Sequence, residues 1–106
     1  MSLDVSLYVD DECVYDANIT HNLNAMAEEA GIYKHLWRPE ELGATTAADI
    51  ANGLRQGLHK LVECPTHFEQ FNSPNGWGMY EHFVPFVAKY LEACVAYPSA
   101  IIRISR

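Results

Sequence analysis

Ser2-Leu3-Asp4-Val5-Ser6-Leu7-Tyr8-Val9-Asp10-Asp11-Glu12-Cys13-Val14-Tyr15-Asp16-Ala17 is the stretch whose reading decides the fold. Leu3, Val5, Leu7 and Val9 alternate with Ser2, Asp4, Ser6 and Tyr8, and a period of two is that of a strand buried on one face. Asp10-Asp11-Glu12 makes a polar turn, and Cys13 to Ala17 returns as a second strand, although no Asn-Gly or Asp-Gly pair fixes the turn type. At the far end, Ala100 to Arg106 alternates Ile102 and Ile104 with Arg103 and Ser105. This predicts a third strand able to join the hairpin in one small antiparallel sheet.

Between these ends the pattern is helical. Thr20 is the expected N-cap of a helix running to about Ala30, with Leu23, Met26, Ala27 and Ala30 on one face and Gly31 at its left-handed end. Ile32 to Trp37 reads as a turn or short helix. Arg38-Pro39-Glu40-Glu41 reads as a fresh helix start with proline at its first position, stopped by Gly43. Thr46 and Asp49 form a capping-box pattern ahead of a helix carrying Ile50, Leu54, Leu58, Leu61 and Val62, closed by Pro65. Thr66 and Glu69 repeat that pattern for a short helix presenting Phe68 and Phe71.

Asn72-Ser73-Pro74-Asn75-Gly76-Trp77-Gly78 is the clearest loop. A last helix follows, with Tyr80, Phe83, Val84, Val87, Leu91, Cys94 and Val95 inward; Pro85 either marks its start or kinks it. The expected fold is α+β: one domain over residues 1–106, its sheet covered on one face by about three main helices.

Composition narrows the function. A chain of 106 residues with 49% hydrophobic residues can bury one core without staples. Its formal charge of -7 argues against general nucleic-acid binding, which needs Lys and Arg to neutralise phosphates, and against anionic membranes. No secretory leader or spanning segment is visible, so the expected location is the cytoplasm. Cys13, Cys64 and Cys94 form no CxxC motif and read as free thiols, two of them on helical core faces.

Two segments are candidates for a working surface. Asn18-Ile19-Thr20-His21-Asn22 places polar side chains where a helix begins, and unpaired N–H groups there suit an anion; ordinary capping and a His21 bond to a backbone carbonyl are the competing explanation. Trp77, between two glycines and near Tyr80, either stacks on a planar ligand or plugs the core edge. The candidate ligand-binding residues are therefore Asn18, Thr20, His21, Asn22, Trp77 and Tyr80. His59, Cys64 and His67 show a loose metal-like spacing that crosses the helix end at Pro65, so no metal or cofactor is expected. GxSxG, GxGxxG and Walker A motifs are absent.

Several stretches taken together resemble a family of small phage and prophage proteins of unassigned function. They are Asn18 to Leu23, Met26 to Tyr33, Leu36 to Glu41, Asn75 to Glu81, Tyr90 to Cys94 and the closing Ser105-Arg106. The likeness spans nearly the whole chain and departs at Pro85. It implies a bacterial host cell as the setting but no reaction. The leading expectation is a non-enzymatic binding protein for a small anionic or nucleotide-like ligand or a host protein. A small hydrolase using a metal or His21 together with His82 or Glu81, and an assembly module that forms a homo-oligomer, are the alternatives.

Overall fold

Alternation at the N-terminus resolves into a tight hairpin in the computed structural model, which describes residues 2–106. Strand β1 (Ser2–Val9) pairs antiparallel with β2 (Glu12–Thr20). Asp10 and Asp11 both take the left-handed region, at φ 51° and 67°. That is the geometry a two-residue hairpin needs, and Asp tolerates it better than most residues. The register slips between Leu7 and Tyr8: Leu7 faces Tyr15, Tyr8 faces Cys13, and Val14 is left over as a bulge. Strand β3 (Ile101–Ser105) pairs antiparallel with the other side of β1, giving the order β2-β1-β3.

The inner sheet face carries Leu3, Val5 and Leu7, all fully buried, with Ile19 beside them. On the outer face Asn18 donates to Asp4 at 2.7 Å, and Arg103 lies over the Tyr8 ring at 4.2 Å. Helices cover the inner face only, and all the buried apolar residues form one cluster. The fold is α+β, as the alternating ends and helical middle imply.

Helices α1 (Asn24–Glu29), α2 (Tyr33–Trp37), α3 (Ala47–Glu63), α4 (Pro65–Glu69) and α5 (Tyr80–Ala96) follow, with 3-10 turns at His21–Leu23 and Pro39–Leu42. Asp49 accepts from the backbone N–H groups of Thr45 and Thr46 at 3.0 and 3.1 Å, so the expected start of α3 is in place. These bonds, Thr45's first, hold the Asp49 carboxyl below its ordinary range. Gly31 and Gly43 end their segments at φ 79° and 70°.

Short α2 docks on α3 through two glycines. A Cβ at Gly53 would overlap the His35 ring, and one at Gly57 would overlap Ile32. Glycines four apart lie on one helix face, so their bare backbone forms the trough that receives Ile32 and His35.

Five expectations need correction, and the choice left open at Pro85 is decided. Strand β2 extends through Thr20 rather than ending near Ala17, so Asn18 and Thr20 are strand residues. The helix expected from Thr20 to Ala30 is a 3-10 turn followed by a six-residue α1, too short for a cumulative dipole at the junction. Pro65 opens α4 and the Thr66 pattern does not cap it, because proline already suits the first helical position. Val62 and Val95 are exposed, lying beyond the flank of each buried stripe. Cys64 is exposed at the end of α3, so Cys94 is the one cysteine in the core. Pro85 neither begins nor ends α5 but lies inside it, one turn and a half from its start.

Candidate functional site

The polar junction after β2 is held by side chains that reach across the chain. Thr20 caps the 3-10 turn, its Oγ1 accepting from Asn22 N–H at 3.3 Å. His21 Nε2 lies 2.7 Å from the Ser2 carbonyl, and the Trp37 indole nitrogen lies 3.3 Å from His21 Nδ1. An indole N–H only donates, so Nδ1 accepts and Nε2 carries the hydrogen given to Ser2. Both ring nitrogens are thus committed, and His21 pegs the buried Trp37 to the start of β1 rather than presenting a free base.

Asn22 turns the other way. Its Nδ2 donates to the Trp77 carbonyl at 2.8 Å. The loop it meets is closed on itself: Asn75 Oδ1 accepts from Ser73 Oγ at 2.6 Å and from Trp77 N–H at 2.9 Å, and Ser73 N–H donates to Gly78 O at 3.1 Å. Gly78 makes the close approach at φ 112°; a Cβ there would stand 2.8 Å from Asn22 Cβ and 3.4 Å from Thr20 Cγ2. The Trp77 side chain stays 70% exposed. It does not plug the core.

These parts form the rim of an open cleft of about 1090 Å³. Tyr15, Ala17, Asn18, Ile19 and Thr20 of β2, with Ser2 at the start of β1, make one wall. His82, Pro85, Phe86 and Lys89 make the other, one stripe of α5 at helical spacing. His21 to Leu23 and Asn75 to Gly78 close one end. Asn18, Thr20, His21, Asn22 and Trp77 therefore share one cleft. Tyr80 does not join them: its hydroxyl donates to the Leu61 carbonyl at 2.6 Å, tying α5 to α3.

Tyr15, Phe86 and Lys89 are site residues that sequence reasoning missed, whereas His82, considered as a partner of His21, lines the same cleft. The 82/85/86/89 stripe was present as a pattern, but the stronger apolar stripe on the same helix obscured it. Tyr15 stacks on Tyr90, with ring centroids 5.9 Å apart and planes at 13°. Burial, then the nearby Cys94, Asp16 and Glu92, raises the Tyr15 phenol above its ordinary value. Tyr90 is fully buried behind it, its hydroxyl without a partner among the described residues, and burial raises its pKa strongly.

Electrostatically the cleft is unlike the rest of the surface. The chain has a net charge of -7, yet no Asp or Glu lines the cleft, and Lys89 is its one permanent charge among the described residues. Its chemistry is that of a binding surface: an exposed indole, apolar rings, a cation and the polar edge of a strand. Elsewhere, His59 contacts Glu63 at 2.7 Å and His67 contacts Glu29 at 3.0 Å. No three His, Cys, Asp or Glu side chains among the described residues converge to hold a metal. No described helix is long and apolar enough to cross a membrane.

Compared with known proteins, the chain matches no family, and no curated protein or solved structure is significantly similar to it.

Proposed function

We propose that this protein acts by binding, and that the cleft between β2 and α5 takes a partner carrying negative charge and a group that packs on Trp77. The observation that carries this reading is the state of Trp77. Its backbone is fixed by Asn75 on one side and Asn22 on the other, while its indole stays 70% exposed. A large apolar side chain left in water on a hydrogen-bonded backbone forgoes burial worth about 2 kcal/mol or more, and an anchor recovers that on contact with a partner. Lys89 and the absence of carboxylates from the described lining set the sign of the partner's charge. The resemblance to small phage proteins suggests a bacterial host cytoplasm as the setting.

The test is a thermal-shift and fluorescence titration with nucleotides, dicarboxylates and acidic peptides, repeated on Trp77→Ala and Lys89→Glu. Each substitution should weaken any ligand found by about tenfold or more. Unchanged affinity in both variants would place binding elsewhere and reject the cleft.

A further inference from the structure

Strand β2 ends the sheet, because β1 lies between it and β3. Alternate residues of an outermost strand turn N–H and C=O groups away from the sheet. Beyond the ladder with β1, no backbone–backbone hydrogen bond among the described residues reaches positions 12–19, and the Cys13 thiol lies 3.5 Å from the Tyr15 carbonyl. Proteins guard such an edge with charge, proline or a bulge. Here the guards gather toward the hairpin: Glu12, the bulge at Val14, and Asp16. Ala17-Asn18-Ile19-Thr20, the half beside the cleft, has none. α5 does not cover this edge but runs alongside it, leaving the cleft between them.

We propose that the cleft takes an extended acidic segment of a partner polypeptide, which adds to β2 as a fourth strand. Residues 17 to 20 of β2, the unguarded half, span roughly 13 Å, the length of four extended residues, so a pentapeptide covers them. Main-chain pairing to β2 supplies the affinity common to strand addition. An acidic side chain of the segment meets Lys89, and an apolar side chain packs on the exposed indole of Trp77. The charge of the cleft selects the segment: with a lysine and no carboxylate in its described lining, it favours acidic over basic chains. A second copy of this chain pairing in the register centred on Val14 would set its Glu12 and Asp16 against Asp16 and Glu12 of the first.

This inference rests on the cleft being the binding site, and the experiment separates the two. The probes are capped pentapeptides alternating Val or Phe with Asp or Glu, their Lys-for-acid counterparts, and nucleoside monophosphates. Each is titrated into ¹⁵N-labelled protein and followed by amide shifts. The acidic peptides should move amides of residues 15–20 and 77–89, and the basic ones should not. N-methylation at one alternate set of peptide positions should weaken binding by about tenfold or more, and at the other set by less than about threefold. Equal effects of both sets would overturn strand addition and leave the cleft standing. Cleft shifts from nucleotides alone would overturn the peptide class. Shifts from no probe in the cleft would reject both statements. Concentration-dependent shifts along β2 without any probe would assign the edge to self-association and overturn the proposal.

Discussion

Asn22 and Trp77 are 55 positions apart, and the side-chain amide of the first donates to the backbone carbonyl of the second at 2.8 Å. This clasp joins the end of β2 to the loop ahead of α5, and it closes one end of the cleft. Replacing Asn22 by Ala should cost about 1 kcal/mol of stability and raise amide exchange selectively over residues 75–78. Hydrogen-exchange mass spectrometry reads both the site and the size of that change.

Gly78 and Gly76 share a left-handed backbone but differ in their surroundings. A Cβ at Gly76 meets nothing within 4 Å, whereas one at Gly78 meets Asn22 and Thr20. Gly76→Ala should cost about 1 to 2 kcal/mol, the strain of the left-handed region alone. Gly78→Ala should cost about 1 kcal/mol more and also release the loop from the junction. Urea denaturation of the two variants gives the comparison.

The trough of α3 predicts a sign that helix propensity would miss. Alanine is favoured over glycine in a helix by about 1 kcal/mol, yet a methyl group at Gly57 would overlap buried Ile32. Gly57→Ala should therefore destabilise by about 1 to 3 kcal/mol. Thermal and urea midpoints should both fall.

His35, seated on Gly53, has an Nδ1 without a partner among the described residues, and burial lowers its pKa from the ordinary value. Lowering means that the unfolded chain takes up the proton first as pH falls. The neutral-ring contribution is complete above about pH 6.5 and is lost progressively below it, toward the lower folded pKa. Wild type should therefore lose more stability between pH 7.5 and 5.5 than His35→Leu. The difference between the two slopes isolates this residue from the other histidines.

The three thiols should separate by reactivity. Cys13 and Cys64 are exposed, while Cys94 is buried and its thiol is pushed up to about 12. Iodoacetamide at neutral pH should label two cysteines quickly and the third only on unfolding, with intact mass as the readout.

The sheet was legible because strand alternation at Leu3, Val5 and Leu7 is a local signal, as is the Ile102 and Ile104 alternation in β3. Capping at Asp49 and the left-handed glycines were legible for the same reason. Non-local contacts were not. Nothing at Gly53 or Gly57 announces a neighbouring helix, since the reason for each glycine is a side chain far away in the chain, His35 and Ile32 respectively. Val62 and Val95 lie beside apolar stripes whose edges depend on which neighbour covers them. At the cleft, Asn18 to Asn22 and Trp77 stood out by residue type. Tyr80 was drawn in by its nearness to Trp77, although its hydroxyl reaches Leu61 instead. Lys89 was hidden because only the packing of α5 beside β2 brings it to the cleft, and the same packing was needed to bring His82 near His21.

The two tryptophans offer the most direct test of the cleft as the binding surface. Trp37 is 2% exposed and bonded to His21, and Trp77 is 70% exposed at the cleft rim. Their indole N–H resonances can be followed together while the acidic pentapeptides and nucleotides are titrated in. Saturable movement of the Trp77 signal with Trp37 fixed, lost in Lys89→Glu, is the predicted result. A Trp77 signal that stays still while amides elsewhere shift would contradict it.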